Sequence, residues 1–268
     1  MSSTSNVARI KGQPSVRDQV SAAEWEARVE LAAAHRYAES SQWTDLIFNH
    51  LTLRVPGEPN CFLVKQHELM FEEVTASNLI KLSMDGTPVG MDGKSVAIEG
   101  HVNAAAYTIH TAVFDARPDV NAVAHIHSAA GMVLAAHAHG LRYLCQDAMM
   151  FYNRVGYHDF EGIAVDLEER ERLGRNLGPH KAMVLRNHGL LTCGVSIGEA
   201  VVLMHNLVGV AEMQARMEAT GQDMCVPPPD VCEKTAQQFE SFMRRDHCAP
   251  QWQAILRQLD RRDPSFRD

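Results

Sequence analysis

Residues 109–127 read IHTAVFDARPDVNAVAHIH, and this stretch decides the fold. In its first half, Ile109 and Val113 follow helical spacing. Pro118 ends that helix, because proline has no amide hydrogen and its ring clashes with the preceding turn. The second half, residues 120–127, is a short apolar run that predicts a strand. A helix that leads through a tight turn into a buried strand favours an α/β layered domain.

The predicted strand ends in two histidines, His125 and His127. Side chains alternate between the two faces of a strand, so these two project from the same side. Their ring nitrogens can then reach one ion at about 2 Å, and His188, on the turn Asn187-His188-Gly189, is placed to add a third ligand. Three histidines with an open position form the ligand set of catalytic zinc, and imidazole also binds iron, manganese or nickel. A His-x-His pair in isolation is more often solvated or hydrogen-bonded than metal-binding, so this argument needs further support.

A second pair with the same spacing, His137 and His139, provides a contrast. We predict a helix over residues 129–138, and on a helix two residues at this spacing point about 200° apart. From such a segment the two rings cannot chelate one ion.

The rest of the chain alternates helices with short strands, which predicts one mixed sheet. Further helices are predicted at 21–40, 103–116, 168–177, 196–219 and 231–244, and strands at 46–55, 62–64, 79–82, 95–98, 182–186 and 190–193. We expect a flexible N-terminus over residues 1–20 and one domain over 21–221. Residues 222–268 are expected to form a proline linker, a C-terminal helix and a tail.

Charge and composition exclude several classes of protein. The formal net charge is −8 with a pI near 5.9, and no basic run interleaved with aromatics could follow a phosphate backbone, so nucleic acid is not an expected partner. No apolar run approaches the roughly 20 residues of a membrane helix, and the N-terminus lacks the apolar core of a secretion signal. The six cysteines contain no C-x-x-C pair, as in a protein with reduced thiols. We expect a soluble, cytoplasmic protein that does not associate with membranes.

Two blocks of sequence resemble the class II aldolase and adducin head family. They are residues 109–127 and the segment LRNHGLL at 185–191. In that family a helix, an Arg-Pro-Asp stop and a His-x-His strand are paired with a later His-Gly-Leu. The segments NHLTLRVPGE at 49–58 and YHDFEG at 157–162 are most similar to the adducin-like branch.

The resemblance covers roughly residues 22–221 and implies both a fold and a site. The implied fold is a three-layer α/β/α class II aldolase-like fold with a mainly antiparallel central sheet. His125, His127 and His188 are implied as ligands of a divalent metal. The resemblance also implies a ring-shaped homotetramer with active sites near subunit interfaces.

One departure from the sugar-phosphate aldolases concerns proton transfer. Their acid/base carboxylate lies four residues before the position of His110, and here that position is Ala106. A methyl group cannot move a proton, so the aldolase mechanism does not transfer directly.

A second departure concerns the loops that bind phosphate in those aldolases. This chain has Asn49-His50 and KQHE at 65–68 in place of the small residues that let backbone amides approach a phosphate. A phosphorylated sugar is therefore not the expected substrate, although Lys65 and Arg54 could attract a carboxylate.

These observations predict a divalent-metal-dependent carbon–carbon lyase, aldolase-like or decarboxylating, that acts on a small oxygenated, non-phosphorylated molecule. Zinc is the expected metal, with iron(II) or manganese(II) as alternatives. Loss of carbon dioxide generates an enolate-like anion without an initial base, which is compatible with Ala106. The candidate proton donors are Tyr157, His110 and Glu99. Tyr157 is favoured because the resemblance implies a tyrosine near the metal.

Two alternatives remain open. One is a non-haem iron oxygenase on the same scaffold, since three histidines leave positions for dioxygen and a 2-oxo acid. The other is a non-catalytic, adducin-like interaction module, which the replacement of the carboxylate by Ala106 favours.

Overall fold

A seven-stranded sheet forms the middle layer of the computed structural model, which describes residues 16–90, 93–97, 101–164 and 166–268. The strands are β1 (His50–Val55), β2 (Glu58–Val64), β3 (Ile80–Ser83), β4 (Ala122–Ile126), β5 (Val155–His158), β6 (Ala182–Leu185) and β7 (Gly189–Gly194). Their order across the sheet is β3-β2-β1-β4-β7-β6-β5. The strand that leads into the His-x-His pair, β4, is therefore central.

The sheet is mixed. Strands β5 and β6 are parallel, and the other neighbouring pairs are antiparallel. The parallel pair forms because a helix, α5 (Glu169–Leu177), connects β5 to β6 and returns the chain to the same end of the sheet. The predicted α/β class is confirmed, and the expected description of the sheet as mainly antiparallel is corrected to mixed.

Helices cover both faces of the sheet, so the predicted α/β/α layering is confirmed. On the first face lie α2 (Ala22–Ser40), α4 (Ala129–Ala136), α6 (Ile197–Ala219) and α8 (Ala249–Arg262). On the second face lie α3 (Ala104–Ala116) and α5, which also pack on each other. The short α1 (Val16–Gln19) precedes α2, and α7 (Pro229–Asp246) packs mainly on a 3-10 turn, Asp147–Phe151.

Local signals placed the helix ends well. The backbone amide of Glu24 donates to the Ser21 hydroxyl at the start of α2, and that of Glu199 donates to the Ser196 hydroxyl at the start of α6. The helix α3 ends at Ala116, just before Pro118. Within the described residues, no helix combines the length and the apolar character needed to cross a membrane.

Two segments differ from the sequence predictions. Ser95 forms only an isolated bridge with Val89, and the rest of the predicted strand 95–98 either has no regular structure or, at residue 98, lies outside the described residues. The sequence reading also missed α8, whose Trp252, Leu256 and Leu259 are buried against the first face. Of the expected flexible N-terminus, residues 1–15 lie outside the described residues and Val16–Gln19 form α1.

Candidate metal centre

The structure brings His125, His127 and His188 together at the end of β4. The Nε2 atom of His125 lies 3.0 Å from that of His127 and 3.2 Å from that of His188. Within the described part of the chain, this is the one group of three or more histidine, cysteine or acidic side chains close enough to hold an ion. His127 keeps 21% of its side chain exposed, so the cluster is open to solvent on one side.

Strand pairing fixes the position of His125. It lies opposite His50 of β1 and Leu191 of β7, in the middle of the sheet, and it is completely buried. Its Nδ1–H donates to the backbone carbonyl of Leu190 at 3.0 Å. This hydrogen bond places the proton on Nδ1, which leaves the Nε2 lone pair directed at the other two histidines.

The turn between β6 and β7 delivers His188. Asn187 has a φ of 56°, a left-handed conformation that asparagine tolerates better than most residues. Gly189 lies so close to β4 that a Cβ atom there would come within 2.5 Å of the Ile126 carbonyl oxygen. The Asn-His-Gly sequence therefore has a steric reason, since a side chain at 189 would push the turn and His188 away from the end of β4.

Asp45 orients the third ligand, His127. Its Oδ2 lies 3.2 Å from the Nδ1 of His127, which donates to it, so the Nε2 of His127 also carries a lone pair. Both His125 and His127 thus direct unprotonated nitrogens at one point. Lone pairs about 3 Å apart repel each other unless a cation lies between them, so the donor set fits a metal ion.

The spacing of the nitrogens also fits. With metal–nitrogen bonds of about 2.0–2.1 Å, tetrahedral coordination separates neighbouring nitrogens by about 3.3 Å and octahedral coordination by about 2.9 Å. The observed 3.0 and 3.2 Å lie between these values. The geometry is therefore suited to a divalent metal without selecting one.

Burial keeps the imidazoles of His125 and His188 in the neutral form that binds metals. It lowers the pKa of His188 to about 4, with a further lowering from the neighbouring His127. Burial, and then His188 and His127, hold the pKa of His125 well below its usual value. The protons that would compete with a metal are thus bound weakly at both residues.

Comparison with known proteins identifies the family of this chain. The model of the family described as "Class II Aldolase and Adducin N-terminal domain" matches residues 29–215. The chain belongs to this family. The crystal structure of an aldolase II superfamily protein from Pseudomonas syringae is 42% identical with a TM-score of 0.88, covering 94% of this chain and 99% of the other.

Two further relatives represent the two sides of the family. L-fuculose 1-phosphate aldolase from Glaciozyma antarctica is 26% identical, with a TM-score of 0.77 over 91% of this chain and 93% of the other. Alpha-adducin of Rattus norvegicus is 37% identical over 87% of this chain, but that match spans only 33% of the adducin. Similarity to both an aldolase and an adducin confirms the family that the sequence predicted.

Tyr157, the favoured proton donor, is not brought to the three histidines. It lies in β5, and its hydroxyl accepts a hydrogen bond from the backbone amide of Leu141 at 3.0 Å. Its ring packs on the first face of the sheet. His125 projects from the second face, the side to which Val123 of the same strand also contributes.

The other two proposed donors have different positions. His110 is completely buried in α3, with its Nε2 2.8 Å from His50 Nδ1 and its Nδ1 2.6 Å from Thr52 Oγ1. Both of its ring nitrogens are occupied by protein partners, so it does not face a substrate. Glu99 lies outside the described residues. Ala106 is buried one turn before His110.

Lys65 and Arg54 do not act as free anchors for a carboxylate, contrary to expectation. The Lys65 ammonium donates to four backbone carbonyls, those of Ile47, Gln66, His67 and Leu69, at 2.8–3.1 Å. The Arg54 guanidinium donates to the carbonyls of Val120, Pro59 and Phe114. Both cations hold loops together instead.

Sequence reasoning missed two side chains that contact the ligands. Asp45 accepts from His127, and the ring of His50 packs on that of His125 with 4.9 Å between ring centres. His50 and Thr52 lie two residues apart on β1 and so project from the same face, but their proximity to His125 depends on the pairing of β1 with β4. No local pattern in the sequence predicts that pairing.

The second His-x-His pair lies beyond the end of α4, so its predicted helical position was wrong. The helix ends at Ala136, and His137 is the residue that caps it. The Nε2 of His137 lies 3.3 Å from a carboxylate oxygen of Glu218, and its Nδ1 accepts from the backbone amide of His139. The ring centres of the pair are 5.9 Å apart.

A separate cavity of about 510 Å³ lies beside α7 and contains none of the three histidines. Two of its cations are already paired, Arg154 with Glu233 and Glu240, and Lys181 with Glu199. The histidine cluster is the better candidate for an active site, because its convergent lone pairs can bind a metal ion and the described residues that line this cavity offer no such group.

Proposed function

We propose that this protein is a divalent-metal-dependent carbon–carbon lyase whose metal is held by His125, His127 and His188. The observation that carries the proposal is the convergence of three imidazoles: the Nε2 of His125 lies 3.0 Å from that of His127 and 3.2 Å from that of His188, and all three ligand atoms lie within 4.8 Å of one another. Hydrogen bonds at Nδ1 fix the lone pairs of His125 and His127. Membership of the class II aldolase and adducin family supports the lyase assignment. The similarity to an L-fuculose 1-phosphate aldolase adds to that support.

The chain's own residues prepare the site. The Leu190 carbonyl and the Asp45 carboxylate each hold one imidazole in a fixed rotation, and the tight turn at Gly189 holds His188 against the end of β4. A bound divalent cation supplies a Lewis acid that polarises a substrate oxygen and stabilises negative charge on it. The partly exposed side of the cluster at His127 leaves room for a small substrate to approach.

The proposed substrate is a small oxygenated molecule without a phosphate group. Where the sugar-phosphate aldolases carry small residues in their phosphate-binding loops, this chain has Asn49-His50 and KQHE at 65–68. Of these, Lys65 already donates to backbone carbonyl oxygens. With Ala106 in place of a carboxylate, decarboxylation is favoured over base-initiated aldol cleavage, because loss of carbon dioxide needs no proton abstraction at the start.

A second candidate is a non-catalytic interaction module. The similarity to alpha-adducin and the alanine at 106 favour it. The two lone pairs that His125 and His127 direct at each other 3.0 Å apart favour a metal-binding role instead, because they repel unless a cation lies between them. For either candidate we propose a homotetramer, which light scattering of the purified protein measures directly.

The first experiment is elemental analysis of anaerobically purified protein beside a screen of 2-oxo and hydroxy acids for release of carbon dioxide or an aldehyde. Binding of a specific metal together with turnover supports the lyase. Ferrous iron together with dioxygen uptake indicates an oxygenase on the same site instead. Absence of a specific metal contradicts the proposal and leaves the interaction module.

A further inference from the structure

The hydroxyl of Thr52 sets the direction of a buried hydrogen-bond chain. Thr52 is completely buried, and its Oγ1 lies 2.6 Å from the Nδ1 of His110, the one side-chain partner that it has within the described residues. A buried hydroxyl hydrogen needs an acceptor. The Thr52 hydroxyl therefore donates to His110, and the Nδ1 of His110 carries no proton.

The same donor-to-acceptor order continues from His110 to His50. Burial lowers the pKa of His110 to about 3, so its ring is neutral and has a single N–H. With Nδ1 accepting, that N–H is at Nε2, and it donates to the Nδ1 of His50 at 2.8 Å. His50, in turn, must carry its own proton on Nε2.

The ring that carries the remaining nitrogen of His50, Nε2, packs against a member of the histidine cluster. His50 lies opposite His125 in the paired strands β1 and β4, and the two rings are packed together. The buried nitrogen and oxygen atoms without a partner, among the described residues, are His35 Nε2, Asn49 Oδ1 and His67 Nδ1. His50 Nε2 is not in this set, although it has no hydrogen-bond partner among the described residues. This nitrogen atom is therefore accessible to solvent, although the residue as a whole is only 4% exposed.

We propose that the Nε2–H of His50 donates a hydrogen bond to an oxygen of the substrate bound at the three-histidine centre, with Thr52 and His110 as positioning residues that fix this polarity. The inference rests on the proposed function and adds a substrate-contacting residue to it. A donor held in a nearly dry site and directed at a substrate oxygen stabilises negative charge that develops there. The substrate is thus a molecule whose reacting oxygen accepts from His50 while it approaches the metal.

The tautomer of His50 is the first test, and it needs no activity. Long-range proton–nitrogen NMR of the metal-free protein, labelled with 15N-histidine, distinguishes a proton on Nε2 from one on Nδ1. We expect Nε2–H for His50 in the wild type and in Thr52→Ser, which keeps the hydroxyl. In Thr52→Val, which has the same shape without a donor, we expect a mixture of tautomers. A wild-type proton on His50 Nδ1 overturns the proposal.

The second test uses acetohydroxamate, a small chelator with an anionic oxygen, as the probe. Titration calorimetry of zinc-loaded protein should give about 10–100-fold weaker binding of the probe to His50→Leu than to wild type, the range for a hydrogen bond to a charged group. His50→Gln, which retains an amide donor, should recover part of the loss. Zinc affinity, measured by competition with a chromogenic chelator, should change little in either variant.

The outcomes separate this inference from the proposed function. A wild type that takes up no zinc contradicts the metal centre itself. Zinc uptake with equal acetohydroxamate affinity in wild type and His50→Leu contradicts the role of His50 alone. A loss of zinc affinity that fully accounts for the loss of acetohydroxamate binding also overturns the proposal, because His50 would then act only on the metal site.

Discussion

The chain contains two His-x-His pairs that are identical in spacing and different in structure. His125 lies in the central strand β4, His127 directly follows that strand, and the β6–β7 turn brings His188 to them. His137 and His139 follow the end of α4, where Glu218 and a backbone amide occupy the nitrogens of His137. The first pair directs lone pairs at one point, while the second is satisfied by hydrogen bonds.

The spacing of two histidines is therefore not sufficient to define a metal site. What distinguishes the first pair is the set of acceptors at Nδ1, the Leu190 carbonyl and the Asp45 carboxylate, which leave Nε2 free for a metal. Among the residues that the structure describes, no third histidine, cysteine or acidic side chain completes a metal-binding group at the second pair. Four predictions test this difference, from the largest expected effect to the smallest.

Replacing all three ligands should abolish metal binding. We expect about one divalent ion per chain in wild type and none in the triple alanine variant of His125, His127 and His188, because no ligand set remains. The matched control is the double alanine variant of His137 and His139, which should keep its metal. Elemental analysis of the three proteins measures the result, and loss of metal in the double variant would contradict the contrast between the pairs.

Removal of His188 alone should weaken metal binding at least about 100-fold, since losing a residue that merely orients a ligand already costs about 10–100-fold. The fold should persist in His188→Ala, because Val184 and Leu190 of the flanking strands provide the packing. Competition with a chelator measures the affinity, and circular dichroism checks the fold. Equal metal affinity in wild type and His188→Ala would contradict the assignment of His188 as a ligand.

Asp45→Asn should weaken metal binding about 10–100-fold, because the neutral amide no longer holds the Nδ1 proton of His127 as strongly. The corresponding carboxylate of the second pair is Glu218, and Glu218→Gln should leave the metal affinity unchanged. The same competition assay applies to both variants. Similar affinities for Asp45→Asn and wild type would show that His127 does not depend on this carboxylate.

Glu218→Gln should instead have a small effect on stability. Glu218 lies 3.3 Å from His137 and 3.8 Å from Arg142 in partly exposed pairs, and such pairs contribute about 0–1 kcal/mol. Urea unfolding of the metal-free protein measures the change in the free energy of unfolding. A decrease of several kcal/mol in the free energy of unfolding would contradict this, because it would show that the fold depends on the contacts of Glu218 with His137 and Arg142.

Local sequence signals predicted much of the fold. Capping serines at 21 and 196 and the proline at 118 placed three helix boundaries within about two residues. The α8 helix was missed although Trp252, Leu256 and Leu259 have helical spacing, because the segment was read as a tail. The parallel β5–β6 pair was missed because β5 is only four residues long and lies in a segment without clear periodicity.

The sequence by itself determined the α/β class and the family, and it named the three histidines that we propose as metal ligands. Only the tertiary structure decided which groups surround the ligands. Asp45 and His50 come from segments far from β4 in the chain, and they reach His127 and His125 through strand pairing and loop packing. The same packing places Tyr157 on the face of the sheet opposite to His125. It also buries His110, which is hydrogen-bonded to His50. Local sequence fixes which side chains alternate on a strand, whereas long-range pairing of strands decides which of them meet.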